Sequence, residues 1–258
     1  DPCDLQAAYQ SDPQRKVPGV REGWLNASEA ERDCRAAVAA HPEEPRFRMQ
    51  MARALVAAGK KDEALKELQP AIDAGYPGAI YYRGFILVDP ANSTAEQLRE
   101  GMEHVRKAWS LGVPDAGDLI AKSTLDGLKS GDGQEIVKQD EKAALEMYKE
   151  AAEKRSWFAS INLAFQYEYG RPDLPIDMSK ALEYFALAAR QMEIEGFAQS
   201  AEVQRARFLF ARRATLVRNL VREGKSAEVV AIARRIAAWT PPAAAEPAPA
   251  GEQPPAAE

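Results

Sequence analysis

Residues 140–170 read DEKAALEMYKEAAEKRSWFASINLAFQYEYG, two helical segments separated by a short turn. The first segment places small residues at Ala144 and Ala151 and a turn residue at Arg155. The same spacing, seven residues and then four, starts at three other places in the chain: Ala64, Gly101 and Ala181. The four starting points lie 37, 43 and 37 residues apart (64 to 101, 101 to 144, 144 to 181). This self-similarity indicates a repeated structural unit.

A second helix follows the first, and its small residues keep the same register. The step from the alanine of the first helix to the small residue of the second is 13 residues in three consecutive units: 71 to 84, 108 to 121 and 151 to 164. Small residues at fixed places let antiparallel helices touch, and one hairpin alone cannot bury its apolar face. The pattern therefore predicts an all-α fold, an α-α superhelix of antiparallel helix hairpins, rather than an ordinary alanine-rich bundle.

The segments GYPGAIYYRGFIL (75–87), DMSKALEYFALAAR (177–190) and the stretch quoted first resemble Sel1-like repeats, which are relatives of tetratricopeptide repeats. Only 12 residues separate Ala52 from Ala64, which is the tighter tetratricopeptide-like turn. The resemblance covers about residues 28–195. It implies a solenoid that binds other proteins and has no catalytic activity.

The remaining sequence divides into sections of different composition. Residues 1–27 form a leader rich in proline and glycine, which we expect to be irregular and clamped to the first helix. Residues 196–239 have helical patterning and are expected to cap the array. Residues 240–258 have the sequence TPPAAAEPAPAGEQPPAAE. They contain no aromatic residue and are predicted to be a disordered tail. An insertion in the third unit, GLKSGDGQEIVKQ (127–139), is expected to be flexible.

The chain has two cysteines, Cys3 in the leader and Cys34 in the first predicted helix. A disulfide between them would clamp the leader and stabilise the fold by about 3 kcal/mol; the alternative is a pair of free thiols in a reducing compartment. We favour the disulfide, and with it a periplasmic or secreted protein whose signal peptide has been removed. The leader segment CDLQAAYQSDPQRKVPGV (3–20) also resembles the start of cell-envelope Sel1-repeat proteins of alphaproteobacteria.

Composition argues against several classes of function. The formal net charge is −5, so the chain as a whole does not attract nucleic acid. No apolar run is long enough to span a membrane. The two histidines, His41 and His104, lie in different units, and no group of residues has the spacing of zinc ligands. Because no catalytic or phosphate-binding motif is present either, we expect neither an enzyme nor a bound metal or cofactor.

The tetratricopeptide-like register counts the helices that contain Arg53, Gly84, Ala121 and Ala164 as the first helix of each unit, and these helices should line the concave side, where a partner protein or peptide would bind. The residues that the tetratricopeptide-like register places there are Met49, Arg53, Tyr81, Phe85, Asp118, Lys122, Ile161, Phe165 and Glu168. The sequence thus predicts a periplasmic scaffold or adaptor. Two alternatives stay open: a periplasmic regulator that restrains a sensor kinase, as in the control of exopolysaccharide production, and a factor in peptidoglycan or envelope assembly.

Overall fold

The computed structural model describes residues 1–172, 174–194 and 200–240, with the side chains of the penultimate long helix described from residue 211 onward. Twelve α-helices fill most of these residues, and the predicted all-α superhelix of helix hairpins is confirmed. The helices are α1 (Pro2–Ala7), α2 (Ala27–Ala40), α3 (Pro45–Ala57), α4 (Lys61–Asp73), α5 (Pro77–Leu87), α6 (Ala95–Ser110), α7 (Pro114–Asp126), α8 (Glu141–Glu153), α9 (Trp157–Tyr169), α10 (Met178–Ile194), α11 (Ser200–Arg222) and α12 (Ser226–Ala237).

The same local signals begin and end the helices of successive units. Proline occupies the first position of α3, α5 and α7, where its missing N–H costs no helical hydrogen bond. Gly75 and Gly112 follow α4 and α6 with φ angles of 72° and 85°, a left-handed turn that glycine adopts without a steric penalty. Arg155 makes the equivalent turn after α8 with a φ of 81°. The turn geometry is therefore kept even where glycine is absent, at a cost of about 1 kcal/mol.

Small residues lie where the helices approach most closely. The alanine that ends the seven-residue step is fully buried in all four units: Ala71, Ala108, Ala151 and Ala188. A Cβ atom on Gly84 of α5 would lie only 2.8 Å from the carbonyl oxygen of Gly101 in α6, so this crossing requires glycine. The described residues form three core clusters, and the Trp109 ring packs against the two larger ones. Neighbouring hairpins thus share a continuous core.

The insertion at 127–139 is an ordered hairpin, where we expected a flexible segment. Two short strands, β1 (Leu128–Lys129) and β2 (Glu135–Val137), pair in antiparallel fashion. Leu128 is buried with Leu98 and Met102 of α6, while Ile136 and Val137 pack against them. The hairpin therefore covers an apolar edge of the second unit.

The leader is also more regular than predicted, because it contains α1 and a 3-10 turn at Glu22–Trp24. The predicted disulfide is present and joins Cys3 of α1 to Cys34 of α2, with a Cα–Cα distance of 4.5 Å. Both cysteines are fully buried in the first core cluster. The bond closes a loop across 31 residues, so it holds α1 against the first helix of the array.

A second clamp comes from Arg53 of α3, whose side chain is fully buried. Its guanidinium donates to the carbonyl oxygens of Ala7 (2.8 Å), Ala8 (2.6 Å) and Val20 (2.6 Å). It also donates to the Glu22 carboxylate at 3.0 Å. A buried cation is costly unless it is paired and hydrogen-bonded, and here the leader supplies every partner that we observe.

Further contacts carry the leader along the inner side of the array. The Tyr9 hydroxyl donates to Asp115 of α7 at 2.6 Å, and the Tyr9 ring stacks on Tyr81 of α5 with centroids 5.5 Å apart. The Tyr76 hydroxyl donates to Asp12. The leader therefore crosses α3, α5 and α7 and covers the first part of the concave side.

At the other end, the cap predicted for 196–239 corresponds to α11 and α12 over its described part. Ile232 of α12 is buried in the second core cluster, and Arg235 pairs with Glu183 of α10 at 2.8 Å. The predicted tail at 240–258 lies outside the described residues apart from residue 240. The division into leader, repeats, cap and tail stays a proposal.

Replacing Arg53 with alanine should release the leader, because three buried carbonyl groups and one carboxylate lose their donor. We expect a loss of about 3 kcal/mol in the free energy of unfolding, measured by chemical denaturation. Hydrogen exchange should become faster across residues 1–26. The matched control is Arg48→Ala on the same helix, where a half-buried guanidinium pairs with Glu67 and should contribute about 1 kcal/mol or less. Equal exchange in the two variants would contradict the clamp.

Candidate functional site: the inner groove

The leader and the helices α3, α5, α7 and α9 enclose a cavity of about 510 Å³ on the inner side of the array. We call this cavity the inner groove. Its side chains come from four successive units as well as the leader, so no single hairpin could form it. The volume is in the range of pockets that hold a small ligand or several side chains of a peptide.

Aromatic rings of α5 form one wall of the groove. Tyr81 and Tyr82 are buried, whereas the next turn of the helix places Phe85 in the groove with 41% of its surface exposed. The Phe85 ring lies 5.7 Å from that of Tyr82 and 6.1 Å from that of Tyr81, in near-parallel orientations. Tyr148 of α8 and Phe158 of α9 complete the apolar lining. A large exposed aromatic ring in a concave site is typical of binding surfaces.

Two carboxylates of α7, Asp115 and Asp118, face this wall from one side of the helix. Asp115 is buried and accepts hydrogen bonds from Tyr9 (2.6 Å) and from the Ser156 hydroxyl (3.1 Å). Burial raises the pKa of Asp115, and its hydrogen bonds counteract part of that shift. Asp115 therefore acts as a structural tie between the leader and α9.

Asp118 has fewer partners. One of its oxygens accepts a hydrogen bond from the Asn162 amide of α9 at 2.8 Å. Burial raises the pKa of Asp118 to about 7, and the neighbouring charge of Asp115 adds to the increase, while Asn162 and Lys122 oppose it. Desolvation of this carboxylate thus outweighs the opposing effects of Asn162 and Lys122.

The arginines of the groove are held by other groups. Arg53 is bound by the leader as described, and Arg171 donates to Glu141 at 3.1 Å and to Gln166. The guanidinium of Arg21 lies over aromatic rings, 5.1 Å from the centroid of Trp157 and 5.8 Å from that of Phe158. Lys122, one turn beyond Asp118, is exposed.

The structure brings together five of the nine predicted concave-face residues in the lining of the inner groove: Arg53, Tyr81, Phe85, Asp118 and Lys122. Arg53 lies there with its hydrogen bonds directed to the leader. Met49 requires a correction: it is fully buried, because α1, α2, α4 and α5 surround α3. It is therefore a core residue with no surface for a partner.

The remaining three predicted residues lie on α9 outside the lining of the groove. Ile161 and Phe165 pack partly against the second core cluster, and the Phe165 ring meets Phe185 edge-on at 5.2 Å. Glu168 forms an ion pair with Arg212 of α11 at 2.8 Å. A role for these three in binding a partner stays a prediction.

Sequence reasoning missed several residues of the groove. Tyr9 and Glu22 belong to the leader, which has no repeat register from which their positions could be inferred. Asn162 directly follows the predicted Ile161, so a register shift of one residue accounts for its omission, because one residue turns a helix by about 100°. Tyr148 belongs to α8, a helix that the register assigns to the outer layer.

The raised pKa of Asp118 predicts a pH-dependent stability. Between about pH 4 and pH 7 the folded state binds a proton at Asp118 that the unfolded state has lost, so this group lowers stability as pH rises. Asp118→Asn should match the wild type below pH 4 and exceed it above pH 7, by on the order of 2 kcal/mol in urea denaturation.

A control for this prediction is Glu146→Gln on α8. Glu146 is exposed, and its hydrogen bond with Lys149 lowers its pKa, so removing its charge should give no gain in stability at high pH. A stability difference between Asp118→Asn and wild type that stays constant from pH 4 to pH 8 would refute the assignment.

Comparisons with known proteins agree with this architecture. The tetratricopeptide repeat model matches residues 26–83, and the Sel1 repeat model matches residues 130–156 and 157–191. No curated protein matches the chain. None of the helices in the described part of the chain combines the length and apolar character that a membrane crossing needs. The described residues also contain no group of three or more His, Cys, Asp and Glu placed to hold a metal ion.

Two solved structures align with most of this chain. A protective antigen of uropathogenic Escherichia coli strains that displays an SLR fold aligns with a TM-score of 0.50 and 19% identity, over 81% of this chain and 44% of that one. A Sel1 repeat protein from Oxalobacter formigenes aligns with a TM-score of 0.49 and 18% identity, over 82% and 99% of the two chains. This chain thus spans less than half the length of the antigen. The family models thus identify a tetratricopeptide repeat at residues 26–83 and Sel1 repeats at residues 130–191 of this chain.

Proposed function

We propose that this protein is a non-catalytic scaffold that binds an extended segment of a partner protein in the inner groove. Sel1 and tetratricopeptide repeats generally serve protein interaction, and the groove lies on the side where stacked hairpins present their first helices. The observation that carries the proposal is the exposed Phe85 ring inside a cavity whose other aromatic side chains are mostly buried. An extended segment suits such a groove because its side chains can enter separate pockets.

The part of the groove that remains open lies between α5, α7 and α9. The leader fills the space beside α3, where its backbone binds Arg53 and its Tyr9 ring stacks on Tyr81. Phe85, Asp118 and Asn162 lie beyond these contacts. The partner segment therefore binds next to the leader, and the leader forms one border of the binding surface.

We also propose a periplasmic location. The Cys3–Cys34 bond supports it, because a buried structural disulfide is typical of oxidising compartments. A regulator that restrains a sensor kinase and an envelope assembly factor are two narrower roles within this location. They differ in the partner bound, so the identity of the captured protein distinguishes them.

The location is tested by osmotic-shock fractionation of the native bacterium, followed by alkylation without reduction and mass spectrometry. We expect the chain in the shock fluid, with Cys3 and Cys34 linked and protected from alkylation. Recovery with a cytoplasmic marker enzyme, with both thiols alkylated, would rule out the periplasm.

Phe85→Ala should abolish or strongly weaken partner binding, because the ring supplies exposed apolar area in the open part of the groove. With a partner captured from the native envelope and then purified, we expect at least a tenfold increase in Kd by titration calorimetry, about 1.4 kcal/mol or more. Leu5→Ala is the matched control, because Leu5 is 68% exposed and lies outside the groove lining. Equal affinity of wild type and Phe85→Ala would contradict the proposed surface.

A further inference from the structure

The geometry points to a more specific property of the inner groove: we propose that its open part is a cation pocket that takes a lysine or arginine side chain of the partner segment. This inference rests on the proposed function, since it assumes that a partner segment enters the groove. The pocket is formed by the aromatic wall of α5, by Asp118 of α7 and by Asn162 of α9.

The aromatic wall supplies one half of a cation site. Tyr81, Tyr82 and Phe85 present neighbouring rings, and Phe158 of α9 also lines the groove. Ring faces attract ammonium and guanidinium groups within about 6 Å. The protein already uses this property at the border of the same groove, where the Arg21 guanidinium lies 5.8 Å from the centroid of Phe158.

Asp118 supplies the other half. Asn162 is the hydrogen-bond donor observed on this carboxylate, so acceptor capacity remains on a group that is largely shielded from water. An uncompensated buried carboxylate is destabilising, and a cationic ligand would relieve that penalty. The raised pKa of Asp118 agrees with a carboxylate that its neighbours compensate only in part.

The cations of the groove itself do not fill this role. Arg53 is held by Glu22 and the leader carbonyls, and Arg171 is held by Glu141. Lys122 is near enough to lower the pKa of Asp118, but no ion pair within 4.0 Å joins the two among the described residues. Asp118 therefore makes no ion pair among the described residues, which leaves its carboxylate available to a cationic ligand.

The test uses the full chain with a phage-displayed library of random dodecapeptides. We expect the selected peptides to share a lysine or arginine. Each is resynthesised with arginine replaced by citrulline, its neutral isostere, or lysine replaced by acetyl-lysine, and Kd is measured by titration calorimetry. The neutral versions should bind at least tenfold more weakly to the wild type. On Asp118→Asn, the preference for the charged peptide should fall well below tenfold, because only the aromatic wall still attracts the cation.

Glu146→Gln is the matched variant, because it removes the same charge from an exposed position outside the groove and should keep the tenfold preference. Selected peptides without a shared cation, or citrulline versions that bind the wild type as tightly, would overturn the cation pocket and leave the scaffold function intact. If the folded wild type selects no peptide, the proposed function fails together with the pocket.

Discussion

The guanidinium of Arg53 is the contact on which the inner side of this molecule depends. It is fully buried, and its hydrogen bonds end on the backbone of Ala7, Ala8 and Val20 and on Glu22. Since a buried charge is tolerated only when it is fully paired, the leader and α3 need each other. The disulfide at Cys3 adds a covalent tie at the start of the same segment. The leader consequently becomes a wall of the inner groove, and the open part is confined to α5, α7 and α9.

Two aspartates on one face of α7 show how a repeat scaffold separates structural from binding groups. Asp115 is bonded to Tyr9 and Ser156, so its oxygens connect the leader with α9. Asp118, three residues later, has Asn162 as its observed donor and lies nearer the open space. The same residue type on the same helix face thus serves packing at one position, and at the other we propose that it offers its charge to a ligand. The difference is that Asp115 contacts the leader through Tyr9, whereas the observed donor to Asp118 belongs to α9.

The repeats explain the fold but leave the binding chemistry to individual side chains. Buried alanines recur at equivalent positions in every unit, and the left-handed turn recurs even at Arg155. The groove residues do not recur: one unit supplies Tyr82 and Phe85, the next supplies carboxylates, and the third supplies Asn162. This division is expected of a solenoid, because the contacts between helices constrain small residues while the concave positions are free to vary.

The spacing of small residues was enough to predict an all-α superhelix, since close helix packing demands alanine or glycine at fixed intervals wherever it occurs. The cysteine pair likewise indicated the disulfide. Tertiary structure decided the site. Tyr9 and Glu22 line the groove from a leader that has no repeat register. Met49 is buried in the core because four helices surround α3. The guanidinium of Arg53 is bound by backbone carbonyl groups of the leader. Sequence spacing determines the contacts between neighbouring helices. The path of the leader depends instead on hydrogen bonds between residues about 30 to 100 positions apart, and no local sequence pattern predicts such contacts.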